Sequence, residues 1–233
     1  MRHALILFTI LLASKTYSQT IDVDKNTGPL PSRAFYSTGG FPLSSFKYTK
    51  VTSGSAYLSD TWMKGALATA DSVQYANVRL KLDLLENSIV YMNEKGEEMV
   101  CVTPIIKLTL RDTVSGKTYL FVNATVIPGG GNDKIWYEVL TSGKATLYKQ
   151  YYKEMTETKA YGSSITEQMI RTTERYFIGV NNSVIRIKKP ADMVEQLPAK
   201  AQKEVSDYIQ KNKLNGKKES DYIAALEYYN SLP

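Results

Sequence analysis

The chain has 233 residues, 43% of them hydrophobic, and a formal net charge of +6 at pH 7. Its one cysteine, Cys101, excludes an intramolecular disulfide and cysteine-rich zinc or iron-sulfur sites. Its one histidine, His3, lies in the N-terminal segment, so the rest of the chain has no imidazole for catalysis or metal binding.

The basic excess is confined to one part of the chain. Residues 141–189 hold nine basic and four acidic residues, whereas the charges on either side of this range nearly balance once the N-terminal segment is left out. This distribution lacks the broad basic character of nucleic-acid-binding domains, so no nucleic-acid partner is predicted. Any electrostatic partner should meet residues 141–189.

The N-terminal segment has the pattern of a secretory signal peptide. Arg2 precedes an apolar run from Ala4 to Ala13, which is too short to span a bilayer and is followed by small and polar residues. We predict cleavage after Ser18, so that residues 1–18 direct export to the periplasm or to the cell surface. No later stretch approaches the roughly 20 apolar residues that a membrane helix needs, and no membrane span is predicted.

Residues 19–51 are rich in proline, glycine and serine and show little periodicity, which predicts an extended lead-in. From residue 52 to residue 189 short alternating runs are separated by turn-forming residues, the pattern of an antiparallel β domain. The clearest run places Val78, Leu80 and Leu82 on one face of a strand and Asp83 on the other, solvent-facing side.

A resemblance appears in this part of the chain. The stretch that opens the β domain contains a G-S-x-Y-L sequence, a W-x-x-G sequence and a strand with alternating leucines; the matching residues are Gly54, Ser55, Tyr57, Leu58, Trp62, Gly65, Leu80 and Leu82. It resembles secreted β-rich proteins of unknown function common in Bacteroidota, over about residues 52–232. The resemblance implies an exported protein of this fold style and no particular reaction.

Residues 190–233 have helical patterns. Pro190 suits the first turn of a short helix, and Pro198 suits the start of a second helix that ends at Asn215-Gly216. The apolar stripes of these helices need a surface to cover them, so we expect them to pack on the sheet. The predicted fold class is α+β and mainly β: an antiparallel meander sheet, curved or forming a partly open barrel, followed by two or three C-terminal helices.

One stretch has the composition of a binding surface, because its tyrosines can stack on sugar rings and its lysines can hold anions. The predicted partner-binding residues are Lys144, Tyr148, Lys149, Tyr151, Tyr152 and Lys153. The competing interpretation is structural: the tyrosines cover the core and the lysines keep an exposed strand from pairing with other chains.

The leading functional hypothesis is therefore a non-enzymatic exported binding or structural module whose partner is a protein or a glycan. One alternative is a carrier of a lipid or other hydrophobic ligand, with the helices as a lid; the other is a hydrolase that uses carboxylates or a Ser-Lys pair. No catalytic residue, cofactor or metal site is predicted, and Cys101 is interpreted as a small buried apolar residue.

Two short sequences match a pattern for O-glycosylation in the phylum of the resembling proteins. They are Asp71-Ser72-Val73 and Asp112-Thr113-Val114, and both fall at predicted turns. Whether either is modified is open at this point.

Overall fold

The computed structural model describes residues 20–23, 40–44, 48, 50–159, 161 and 166–233. The predicted signal peptide and most of the predicted lead-in therefore lie outside the described residues. The strands, in chain order, are β1 (Thr20–Asp22), β2 (Gly40–Pro42), β3 (Val51–Ser53), β4 (Met63–Thr69), β5 (Gln74–Asp83), β6 (Ser88–Met92), β7 (Glu98–Cys101), β8 (Ile105–Arg111), β9 (Thr118–Asn123), β10 (Trp136–Thr141), β11 (Thr146–Thr158), β12 (Glu167–Val180) and β13 (Ser183–Ile187).

The C-terminal part is helical. A 3-10 helix, Pro190–Gln196, is followed by the α-helices α1 (Ala199–Lys211) and α2 (Glu219–Ser231). A further 3-10 turn, Ala124–Val126, follows β9. No helix among the described residues is long and apolar enough to cross a membrane.

The strands form one open, mixed sheet in the order β13-β12-β11-β10-β9-β8-β4-β5-β6-β7-β2. The predicted mainly β fold, with a curved antiparallel sheet and C-terminal helices, is confirmed. Two details differ from the prediction. β1 pairs in parallel with β5, and β3 pairs in parallel with β12. β8 pairs with β4 and not with β7, the strand before it in sequence. Alternation along single strands carries no information on such long-range pairings.

The link between β7 and β8 shows that the sheet curls. Only Val102, Thr103 and Pro104 separate these two strands in sequence, yet β4, β5 and β6 lie between them in the sheet. Four strand spacings cover about 19 Å in a flat sheet, whereas the four residue steps from Cys101 to Ile105 span about 14 Å at most. These five strands must therefore bend towards each other, although the sheet does not close into a barrel.

Two hydrophobic cores lie on the same face of this sheet. The first core fills the curl and includes Leu80, Leu108 and Trp136. The second lies between the other end of the sheet and the helices, and includes Leu147 of β11 and Leu226 of α2. Since Leu147 and Tyr151 share one side of β11 and contact different cores, the face continues from one core to the other.

Gly65 shows how closely the strands of the first core approach. It lies in β4 between β5 and β8, where a Cβ atom would come within 2.6 Å of Leu80 Cδ1 and 2.7 Å of the Thr109 carbonyl oxygen. A larger side chain has no room at this position. Close packing of the strands therefore explains why the W-x-x-G sequence has a glycine at this position.

The predicted alternation in β5 is confirmed for Val78, Leu80 and Leu82, each of which is 0% exposed, but it is wrong for Asp83. The Asp83 side chain is also fully buried. It accepts hydrogen bonds from the Tyr48 hydroxyl at 2.7 Å and from the backbone N–H groups of Leu85 and Glu86 at 3.1 and 3.0 Å. A buried carboxylate is tolerated where donors surround it, so these groups explain the exception.

Replacing Asp83 by alanine is expected to lower the free energy of unfolding by about 2–3 kcal/mol, because several donors lose their acceptor inside the protein. Urea denaturation of the purified variant measures this change. Asp83→Asn, which keeps one acceptor oxygen, should lose less stability. An alanine variant as stable as the wild type would contradict a structural role for this carboxylate.

Candidate functional site

The six predicted partner-binding residues lie on or next to β11 and divide between the two faces of the sheet. Lys149, Tyr151 and Lys153 alternate with Tyr148 and Tyr152 along the strand, so the first three face the cores and the other two face the opposite side. Lys144 lies in the turn before β11. The structure therefore does not bring the six together as one surface.

Lys149 is the centre of a buried charged cluster. Its side chain and that of Glu138 are each 4% exposed, and Nζ lies 3.4 Å from Glu138 Oε2. It also forms an ion pair with Glu174 at 3.6 Å and a hydrogen-bonded ion pair with Glu219, the first residue of α2. The Tyr151 hydroxyl donates to Glu138 Oε2 at 2.7 Å. We call Lys149, Glu138, Glu174 and Glu219 the polar junction.

The polar junction lies between the two cores. On β11, Leu147 contacts the second core and Tyr151 the first, with Lys149 between them on the same side of the strand. Burial alone would lower the pKa of Lys149, but the hydrogen bond to Glu219 and the charges of Glu138 and Glu174 hold it above its ordinary value. The ammonium group is therefore charged and internally neutralised, which favours a structural role.

The other predicted residues also contact the protein itself. Lys153 Nζ donates to the carbonyl oxygens of Ser55 and Tyr57, both at 2.7 Å, and burial lowers its pKa. Lys144 Nζ donates to the carbonyl oxygen of Leu232. The Arg175 guanidinium lies 3.3 Å from the centre of the Tyr152 ring, and Tyr148 packs against Tyr137 with ring centres 5.5 Å apart.

A different part of the molecule forms a cavity. It lies at one end of the curl, has a volume of about 690 Å³, and is bounded by the β7–β8 link, the start of β6, β2 and the start of β10. Ile89, Ile105 and Trp136 form buried parts of its wall, while Phe41 and Val102 are each 54% exposed. Exposed apolar residues beside a concave apolar wall are typical of a binding site.

Two polar side chains of the cavity wall, Asn123 and Cys101, interact within the protein. Asn123 is hydrogen-bonded within the protein: Nδ2 donates to the Asp133 carbonyl oxygen at 2.8 Å, and Oδ1 accepts from the backbone N–H and the hydroxyl of Thr125. Cys101 Sγ lies 3.6 Å from the Thr103 carbonyl oxygen. Burial raises the pKa of this thiol to about 11, so it is neutral at pH 7 and a poor nucleophile.

Among the residues that the structure describes, three ionisable side chains other than Cys101 line the cavity: Glu86, Asp133 and Lys134. They give the wall no cationic excess that would attract an anionic ligand. Within the described residues, no group of three or more His, Cys, Asp or Glu side chains is arranged to hold a metal ion. The apolar part of the wall can exclude water from an apolar group.

The C-terminal helices do not line this cavity, and no described residue after Trp136 lies in its wall. The helices instead cover the second core, where α2 contacts β10 and β11.

The two sequences that match the glycosylation pattern lie in turns with Ser72 and Thr113 exposed, and their modification stays a prediction.

The cavity residues were missed by the sequence analysis because they come from distant parts of the chain and meet only when the sheet curls. One signal could have identified them. Val102, Thr103 and Pro104 form a partly apolar link between two strands, where a turn made only of polar residues would be expected.

Comparison of the chain with protein-family models, with curated proteins and with solved structures found no match.

Proposed function

We propose that the chain is a non-enzymatic binding protein that holds an uncharged, mainly apolar small molecule at the open end of its curled sheet. The cavity of about 690 Å³ carries this proposal, since its volume lies in the range of about 300–1,000 Å³ typical of small-molecule sites. With the export signal predicted in residues 1–18, the proposed place of action is the periplasm or the cell surface.

The charges of the wall support an uncharged ligand. A carboxylate ligand would meet Glu86 and Asp133, and Lys134 is the only cation to offset them among the lining residues of the described ranges. Moving an ionised group into an apolar cavity without a paired counter-ion is costly. An acyl, isoprenoid or aromatic group without ionised substituents carries no such cost.

The strand beside the cavity argues against an extended peptide as the ligand. β2 is three residues long, and the Leu43 N–H donates to the Glu98 carbonyl oxygen. By the alternation of an antiparallel ladder, the backbone groups of Gly40 and Pro42 point away from β7. Proline has no N–H, so this edge offers few hydrogen bonds to an added strand.

The cavity supports this function better than the predicted surface on β11 supports protein or glycan binding. Lys149, Tyr151 and Lys153 already use their polar atoms within the protein. Binding through that stretch stays a prediction, as does hydrolysis by carboxylates or a Ser-Lys pair.

The first test is titration with a neutral naphthylamine dye that fluoresces in apolar surroundings. The wild type should bind the dye, and Val102→Asp should weaken binding by about tenfold or more, because it places a charge at the apolar opening. Val114→Asp is the matched control, since Val114 is 83% exposed in a turn away from the cavity. Absence of dye binding by the wild type, or equal binding by both variants, would refute the proposal.

Cys101 provides an independent readout, because it is the only cysteine and lines the cavity. Alkylation of its thiol by a small uncharged reagent, followed at alkaline pH because burial raises the thiol pKa to about 11, should slow when the dye is bound. The rate in the unfolded protein serves as the control for reagent activity. An alkylation rate that saturating dye leaves unchanged would place the dye elsewhere on the protein.

A further inference from the structure

The strand β11 extends well beyond its neighbour β10. Pairing between the two reaches Lys149, whereas pairing of β11 with β12 continues to Thr158. In the described part of the chain, no strand pairs with the outer edge of β11 over residues 153–158. Residues 154–158 are all exposed, so this edge is open.

The backbone groups that point outward from this edge can be identified. The Gln168 N–H donates to the Lys50 carbonyl oxygen, on the side of β12 away from β11. Gln168 lies opposite Glu157, so the backbone groups of Glu157 also point away from β12. Because the direction of the backbone groups alternates along an antiparallel strand, those of Met155 and Lys153 point the same way as those of Glu157. The N–H and C=O groups of these three residues therefore face the open edge.

We propose that two copies of the chain pair antiparallel through this edge of β11, with the twofold axis at Met155. In this register Lys153 lies opposite Glu157 of the second copy, and the symmetry repeats the pair. Met155, which is 41% exposed, lies opposite Met155 of the second copy. Three pairs of residues would then exchange about six backbone hydrogen bonds.

Charge selects this register among those that the backbone permits. An axis at Lys153, Glu154 or Glu157 places that residue opposite the same residue of the second copy, so that like charges meet. An axis at Thr156 places Lys153 opposite Lys159 of the second copy. Like charges directly opposite each other destabilise a strand pair, whereas opposite charges stabilise it. Of the axes at residues 153–157, only the one at Met155 gives opposite charges and no like pair. An axis at Thr158 would also place Glu157 opposite Lys159 of the second copy, but β11 ends at Thr158, so fewer of its residues would pair.

The existing contacts of the two charged residues are compatible with this arrangement. Lys153 Nζ donates to two backbone carbonyl oxygens, which leaves one of its three N–H donors for Glu157 of the second copy. Glu157 Oε1 accepts from Gln168 Nε2 at 2.7 Å, and its other oxygen remains for Lys153 of the second copy.

Cross-linking tests the register. In a Cys101→Ala background, Met155→Cys should form a disulfide-linked dimer on mild oxidation, because residues in a hydrogen-bonded antiparallel pair have Cα atoms about 5.5 Å apart, within the range that a disulfide spans. Thr156→Cys is the matched control, since Thr156 would lie opposite Glu154 of the second copy. Cross-linking of Thr156→Cys in preference to Met155→Cys would overturn the register.

Analytical ultracentrifugation tests the dimer in solution. Glu157→Lys should raise the dimer dissociation constant by about tenfold or more, because it places two lysines opposite each other. Glu167→Lys makes the same charge change at an exposed residue of β12, one strand away from the edge, and should leave the constant unchanged. A wild-type chain that is monomeric at every accessible concentration, or equal effects of the two variants, would overturn the proposal.

Discussion

Lys149→Met is expected to lower the free energy of unfolding by about 3–5 kcal/mol, because it leaves the buried Glu138 carboxylate without its ammonium partner. Glu138 is 4% exposed, so water cannot replace the lost charge. Methionine is of similar length and avoids the cavity that alanine would leave. Urea denaturation of the wild type and the variant measures the difference.

Two further variants separate the charge effect from other causes. Lys117 Nζ also lies near Glu138, at 3.8 Å, but its side chain is 46% exposed, so Lys117→Met should cost less than about 1 kcal/mol. The double variant Lys149→Met, Glu138→Gln removes both buried charges and keeps an acceptor for Tyr151, and it should regain much of the stability. Equal losses in Lys149→Met and Lys117→Met would contradict the role given to burial.

Leu226→Ala is expected to destabilise the whole protein by about 2–5 kcal/mol, because it opens a space in the second core. Leu226 of α2 is 0% exposed and packs in the cluster that also contains Leu147 and Ile178. Thermal unfolding followed by circular dichroism at sheet and helix wavelengths should show one transition, shifted to lower temperature at both.

A shortened chain provides the complementary measurement. A chain that ends at Lys189 exposes the sheet side of the second core, so it should lose the cooperative transition or melt far below the full chain. Val114→Ala, at a site 83% exposed, is the control for a substitution of an apolar residue and should change little. If the shortened chain melts like the full chain, the helices are an independent arm.

The sequence predicted those parts of the fold that local patterns encode. Alternation identified the buried side of β5, and the tight turn between β12 and β13 is formed by Asn181 and Asn182, with φ angles of 50° and 60°, which asparagine tolerates. Such features depend on residues that are close together in the sequence. The apolar stripes of the C-terminal helices were expected to pack on the sheet, and Val205 and Leu226 lie in the second core.

The parts that sequence analysis missed depend on distant residues. Asp83 is buried because Tyr48 and the backbone of Leu85 and Glu86 supply donors, which alternation cannot show. The cavity exists because β8 returns to β4, a pairing that no local pattern specifies. The inward side of β11 was recognisable as Leu147, Lys149 and Tyr151, and a lysine on that side was a signal for a buried carboxylate.

The polar junction also bears on how the strands find their alignment. A slip of β11 by one residue against β10 would turn every side chain to the wrong face, and the apolar residues oppose it. A slip by two residues keeps each side chain on its own face, so apolar burial alone resists it weakly. Such a slip would place the Lys149 ammonium beside Trp136 or Leu140 in place of Glu138. One buried ion pair thereby distinguishes the native alignment from those that hydrophobic burial leaves nearly equivalent.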